Sequence, residues 1–277
     1  MSNIFQQLHP CHPRHLLKVA TAAKCYDRPV WSSKKPITFN DRAVMIKEWM
    51  HQCDQHHSKC SAGLSGKAGL SGVASAAFTS TPPTRLVYVE GGDSSLQPRL
   101  VLSENLDQPV KEYTALSHCW GLEMPLTLTR DNLKMLLEGI DETLLPKTFI
   151  DAIYVNRKAG ISFLWIDSLC IIQDDPSDWE RESSQMTSIY MNAHLTLAAA
   201  SAKNCHEGLY LGPVKEALHF DAMHPEIEGG RCEAQVRFPY GRKYFTDDVV
   251  LKSPLYMRGW VLQEIVLSKR VVFFCRD

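Results

Sequence analysis

The segment Ile161-Ser162-Phe163-Leu164-Trp165-Ile166-Asp167 is an almost unbroken run of large apolar residues. It lacks the polar alternation of a half-exposed strand. It reads as a strand buried on both faces, the environment of a parallel sheet covered by helices. Leu195 to Ala200 and Val271 to Phe274 read as further buried strands, and Tyr113 to His118 as another strand. Helical patterns lie between them: Asp131 to Ile140, capped by Thr129 or Asp131; Pro146 to Gly160, with Phe149, Ile150, Ile153 and Tyr154 on one face; Pro176 to Ala193, with Ser177 or Asp178 near its start and Met186, Ile189 and Tyr190 turned inward; and Trp260 to Leu267. This alternation predicts right-handed crossovers and an α/β fold, a parallel sheet flanked by helices. Arg85 to Val89 and Arg99 to Leu102 read as an extra β-hairpin ahead of it. Glu207 to Pro254 is irregular, with a hairpin expected around Glu233–Pro239 and Lys243–Val250.

Upstream, residues 1–40 have no clear periodicity and read as a loosely ordered arm. From Asp41, the positions of Val44, Ile46, Trp49 and Met50 mark an amphipathic helix, with Asn40 or Asp41 as N-cap. Ser61 to Pro83 is rich in Ser, Gly, Ala and Thr and reads as a flexible linker or surface loop. The chain therefore divides into an arm, helix and linker over residues 1–84 and a domain over 85–277. It stops directly after a strand, in Cys275-Arg276-Asp277, where a covering helix is usual, so the expectation is a fragment or a truncated gene product.

Thirty basic and 31 acidic residues nearly cancel, and no basic face stands out, which argues against a phosphate-tracking nucleic-acid binder. No apolar run reaches the ~18 to 20 residues that span a bilayer. Met1 to Pro10 lacks a secretory pattern, so a cytoplasmic setting is the default expectation. The nine cysteines are odd in number and scattered, as reduced thiols are. Cys53, His56, His57 and Cys60 hold four metal-ligand types within eight residues, but no matched second half follows. Helical spacing favours one face of a helix instead, and no metal is expected.

Chemistry is sought where open parallel sheets bind ligands, beyond the carboxyl ends of the strands. Ser117, His118, Trp120 and Gly121 follow one core strand; Asp167, Ser168 and Gln173 follow another. Trp120 is either a stacking surface for a planar ring or a core-capping indole. Asp167 either accepts from a sugar hydroxyl or caps the turn behind it. His118 suits a structural residue better than a general base. Glu264 stands among Trp260, Val261, Leu262 and Ile265; on a short helix it shares a face with Trp260, and a carboxylate beside an indole is partly desolvated. The structural alternative is an ion pair to Arg258 or Lys269. Gly63-Leu64-Ser65-Gly66 and Gly69-Leu70-Ser71-Gly72 lack the strand and the Lys-Ser/Thr ending of a phosphate loop. A nucleophile elbow is absent. Cys119 and Cys170 have the apolar neighbours of inert buried thiols.

Three blocks together resemble the fungal heterokaryon-incompatibility (HET) domain. They are Tyr113-Thr114-Ala115-Leu116-Ser117-His118-Cys119-Trp120-Gly121; Leu164-Trp165-Ile166-Asp167-Ser168-Leu169-Cys170-Ile171-Ile172-Gln173-Asp174-Asp175 continuing through Trp179, Met186, Ile189-Tyr190 and Ala193; and Arg258-Gly259-Trp260-Val261-Leu262-Gln263-Glu264, then Leu267-Ser268. The resemblance covers roughly residues 85–277. Two positions depart from it: His118 stands where the family usually has an aromatic, and Ile172 where it has Asn. HET domains are similar in turn to Toll/interleukin-receptor (TIR) domains. Tyr113–Ser117, Phe163–Asp167 and Leu195–Ala200 then match the first three TIR strands, and Trp260 to Glu264 resembles the Trp-x-Leu-x-Glu segment of TIR domains that cleave NAD. The resemblance implies a flavodoxin/TIR-like sheet and a role in nonself recognition and programmed cell death. It also implies NAD as substrate rather than cofactor. Glu264 would be the catalytic residue, with Ser117, His118, Trp120, Gly121, Asp167, Arg258 and Trp260 around the ligand. Partners would be further copies of the chain or another incompatibility protein. The alternatives are a non-catalytic self-association module and an inactive truncated copy.

Overall fold

A computed structural model describes residues 17–18, 38–56, 81–90, 96–123, 125–209, 219–223, 231–235 and 252–275. Within them, six strands form one mixed, mostly parallel sheet. In chain order these are β2 (Arg85–Tyr88), β3 (Arg99–Leu102), β4 (Thr114–Ser117), β5 (Phe163–Trp165), β6 (Leu195–Ala198) and β9 (Val271–Phe273). Their spatial order is β9-β6-β4-β5-β2-β3, and a two-residue strand, β1 (Leu17–Lys18), extends the sheet beside β9. β9, β6, β4 and β5 pair in parallel. The expected hairpin β2–β3 is antiparallel, and β2 also runs antiparallel to β5. Among the parallel strands β5, second in sequence, lies on one side of β4, and the third and fourth, β6 and β9, lie on the other. The connections therefore reverse direction at β4, leaving a switch point between β4 and β6.

The helices are α1 (Phe39–His56), α2 (Leu133–Glu138), α3 (Lys147–Ala159), α4 (Asp167–Cys170), α5 (Pro176–Asn192) and α6 (Val261–Val266). α1 packs against α3, and α5 against α6. Their start signals are partly not those expected. Thr38, not Asn40 or Asp41, precedes the first turn of α1. Its Oγ1 accepts from the Asp41 N–H at 3.2 Å, while the Asp41 carboxylate accepts from the Thr38 N–H at 2.8 Å. That is a reciprocal box with Asp in the place of Glu. α5 is capped by Asp175, whose carboxylate accepts from the N–H groups of Ser177 and Asp178, with Pro176 as the first helical residue. α3 ends on Gly160 at φ 83°, the left-handed turn that glycine adopts without a Cβ clash.

The sheet and its helices share one main core. Trp165, Tyr113, Tyr190 and Phe149 are its largest fully buried side chains, and Trp165 meets Tyr190 edge-on at 5.5 Å. Ala43, Ile46 and Met50 of α1 belong to the same core. The last turn of α1 is tied to the strand entrances: buried Arg270, just before β9, pairs with Asp54 and donates to Cys53 Sγ at 3.3 Å and to His194 Nε2 at 2.9 Å. Cys53 thus serves a guanidinium, and among the described residues no group of His, Cys, Asp and Glu is placed to hold a metal. His57 and Cys60 lie outside the described residues, as do most of the arm and the linker.

In one region the sequence reading needs correction. The described hairpin pairs β7 (His219–Met223) with β8 (Arg231–Gln235), so Glu233 belongs to its second strand rather than its first. Lys243–Val250 lies outside the described residues. The physical reason is that β7, His-Phe-Asp-Ala-Met, has only a faint apolar alternation to betray it.

A buried charge cluster joins the hairpin to the second block. Arg85 Nε donates to the Cys170 carbonyl at 2.6 Å, and its Nη2 pairs with Asp178 and stands 3.7 Å from Glu182. Asp178 also accepts from the Ile172 N–H at 2.8 Å. Arg181 also pairs with Asp178 and Glu182 but is half-exposed, so removing Arg85 leaves both carboxylates with a weaker, solvated partner. Arg85→Ala is therefore expected to lower the unfolding free energy by about 3 kcal/mol, the lower end for a broken buried pair. A urea titration would show a lower midpoint at unchanged slope; an unmoved midpoint would mean that the cluster contributes nothing.

Candidate functional site

The carboxyl ends of β4 and β5 carry the polar residues of the first two blocks, and α6 brings the third alongside. β4 closes on Ser117, whose hydroxyl donates to Glu264 Oε2. Arg258 Nη1 donates to the same oxygen at 3.2 Å, and its Nη2 lies 3.9 Å from Asp167 Oδ2. Trp120 Nε1 donates to that Asp167 oxygen at 2.9 Å, and Asp167 Oδ1 accepts from the Ser168 N–H at 2.8 Å, starting α4. Asp167 is thus the first residue of α4, and its carboxylate holds both the next backbone N–H and the indole; the N-cap is Ile166, without a side-chain cap. One guanidinium connects two carboxylates carried by different elements.

A pocket of about 350 Å3 opens above this arrangement, lined by Trp120, Gly121, Asp167, Gln173, Arg258 and Trp260 among others. Of the residues singled out from the sequence, these come together around the opening. Ser117, His118 and Glu264 lie behind it and are essentially without exposed surface. Trp260 precedes α6 and is 49% exposed, so it is not the shield that buries Glu264. Val261 and Ile265, in the same short helix, are the buried apolar neighbours. Gly121 has φ 86°, and a Cβ there would stand 2.4 Å from that of Asn204, so the first block must end in glycine.

Burial, the largest effect, raises the Glu264 pKa above the usual carboxylate value, and the Asp167 charge adds to it; the Arg258 charge and the Ser117 hydrogen bond oppose it. Glu264 Oε1 has no hydrogen-bond partner. Arg258 loses solvation by burial, but Glu264 and Asp167 outweigh that loss and hold its pKa above the ordinary arginine value. Burial pushes the thiols of Cys119 and Cys170 up, the latter to about 12, which leaves them poor nucleophiles.

The pocket has a third wall that the sequence reading passed over: Trp179, Ser183 and Met186 of α5. They stand at i, i+4 and i+7 on one helical stripe. Trp179 is 48% exposed although it stands in line with buried Met186 and Tyr190, and a tryptophan at the outer end of the apolar stripe was the available signal. Ile172, by contrast, does not line the pocket. It is buried, and only its backbone N–H serves the charge cluster.

The fold and site define an α/β protein with paired carboxylates bridged by arginine at the strand ends. The family model described as heterokaryon incompatibility protein (HET) matches residues 113–264, from the first block through Glu264. The chain belongs to the HET family. No curated protein and no solved structure matches it. No helix among the described residues is long and apolar enough to cross a membrane.

His118 tests the packing behind the site. It is 1% exposed, edge-on to Phe149 at 5.0 Å, and neither ring nitrogen has a hydrogen-bond partner. Burial lowers its pKa to about 4, against the partial pull of Asp167. Below the ordinary histidine range the unfolded chain takes up a proton that the fold refuses. Stability is thus full above about 6.5 and is lost as pH falls toward 4. His118→Phe removes two unpartnered nitrogens, worth about 1–3 kcal/mol. The variant should be more stable at pH 7, by a margin that widens toward pH 4. Thermal unfolding across that range checks it: a lower melting temperature, or a constant gap, contradicts the assignment.

Proposed function

We propose that the chain acts in fungal nonself recognition and cell death by cleaving NAD, using a flavodoxin- and TIR-like fold. The observation that carries this reading is the buried carboxylate of Glu264, set directly behind Arg258 at a pocket beyond the strand ends. The order of the four parallel strands, second-first-third-fourth, supports the fold, because it is the flavodoxin-like order in which ligands lie at the switch point.

The chemistry follows from charge. The bond from ribose C1′ to the nicotinamide nitrogen breaks, and its electron pair leaves with nicotinamide, neutralising the ring. Positive charge develops on the ribose, water adds at C1′, and a proton passes to solvent, giving ADP-ribose and nicotinamide. An ionised Glu264 stabilises the sugar cation as carboxylates do in glycoside hydrolysis. The departing ring is already cationic and needs no general acid. Trp120 and Trp260 offer ring faces. Asp167 accepts from a ribose hydroxyl. The pocket volume lies at the small end of the ligand-site range, which suits the nicotinamide-ribose half, with the remainder lying across the opening.

The protein should release nicotinamide from NAD when it is forced to oligomerise, and Glu264→Gln should abolish release. Because the ionised form acts and burial raises its pKa, the rate should climb with pH along a limb above the usual glutamate range. A second reading, a non-catalytic module acting by self-association or with another incompatibility protein, is favoured by one observation: Glu264 is fully buried, its Oε2 engaged by Ser117 and Arg258. No release at any pH from the oligomer decides for it, whereas equal release from Glu264→Gln removes Glu264 from the chemistry.

A further inference from the structure

Arg258 has two roles that conflict. It lines the pocket, with 23% of its side chain exposed, and it is the counter-ion of a carboxylate that has no exposed surface. While Nη1 holds Glu264 Oε2, nothing entering the pocket reaches that carboxylate. Yet the grip is incomplete. The second guanidinium nitrogen stands 3.9 Å from Asp167, beyond hydrogen-bond length, and Glu264 Oε1 is left without a partner in a fully buried position. The arginine is shared between two acceptors and saturates neither.

We propose that Arg258 is a displaceable latch: an anionic, phosphate-like group entering the pocket captures the guanidinium, and that exchange uncovers Glu264. The inference rests on the reading of the pocket as a nucleotide site and specifies how that site is regulated. A tetrahedral oxyanion accepts from a guanidinium through two parallel hydrogen bonds, a better match than one carboxylate oxygen at 3.2 Å and another at 3.9 Å. The exchange also obeys charge balance. When Arg258 leaves, Glu264 loses the cation that holds its pKa down, so a new positive charge must take its place if it is to stay ionised. An oxidised nicotinamide nucleotide carries both parts: phosphate to draw the arginine and a cationic ring to replace it. A ligand with the phosphate alone opens the latch but leaves Glu264 prone to protonation. The latch therefore favours the oxidised nucleotide, whose ring is cationic, over the reduced one, whose ring is neutral.

The test reads exposure of Glu264 and needs no turnover. The full chain is labelled with a water-soluble carbodiimide and glycinamide, and the peptide carrying Glu264 is followed by mass spectrometry. In sodium chloride Glu264 should remain essentially unlabelled. In sodium sulfate at equal ionic strength, labelling should rise about tenfold, the effect of ~1.4 kcal/mol on an opening equilibrium. Sulfate favours compact states, so a general loosening of the fold would give the opposite sign. Arg258→Ala should label in both salts alike, and Arg258→Lys, a point charge without the fork, should respond to sulfate less than the native chain does. Equal labelling of native protein and Arg258→Ala in chloride would overturn the latch, as would native protein that stays unlabelled in sulfate. The native-protein arm keeps its force if Arg258→Ala fails to fold. A chain that opens in sulfate but releases no nicotinamide keeps the latch and loses the NAD-cleavage reading.

Discussion

A carboxylate with no exposed surface, Glu264, links the two halves of the parallel sheet's functional end. Its Oε2 receives the hydroxyl at the end of β4 and the guanidinium that precedes α6, so the first and third sequence blocks meet on a single oxygen. Burying a charge this deeply is costly unless partners satisfy it, and half of this carboxylate is not satisfied. The surrounding fold supplies the compensation. Thr196 and Ser268 hydroxyls meet at 2.7 Å beneath α6, Ser268 donates to the Glu264 carbonyl at 2.5 Å, and Val261 and Ile265 pack onto the sheet. The helix is held from below so that its one carboxylate can be kept where water does not reach.

Much of this was legible in the sequence, for reasons particular to each element. Buried strands announce themselves because both faces must be apolar, as Phe163 to Trp165 and Leu195 to Ala198 are. The long helices announce themselves through their apolar stripes, and Pro146, Pro176 and Gly160 fix their limits. What stayed hidden is what distant pairing decides. The ion pair of Glu264 with Arg258, six positions away, was among the sequence alternatives and is present; Ser117 is 147 positions away, and nothing local says that its hydroxyl would close over the carboxylate. The same holds for Arg85, which reads as the first residue of a strand and is in fact the buried counter-ion of Asp178. The α5 stripe of Trp179, Ser183 and Met186 was visible as a pattern, but which face of that helix meets the pocket is fixed only when α6 packs against it.

The two ends of the sheet use arginine differently. At the carboxyl end Arg258 is part-exposed and shared between acceptors, an arrangement that can exchange partners. At the amino end Arg270 is 2% exposed and spends its donors on Asp54, Cys53 and His194 together. Burial and, after it, the Arg270 charge together lower the His194 pKa to about 4 against the pull of Asp54, so the imidazole stays a neutral acceptor at ordinary pH. One end is built to exchange partners, and the other to stay assembled.

That second arrangement also seats α1. The helix contributes Ala43, Ile46 and Met50 to the core and is moored by Arg270 at its last turn, so side-chain contacts hold it in place. Arg270 precedes β9, and α1 lies ahead of β2 in the chain, so one guanidinium fastens the first long helix of the described residues to their last strand.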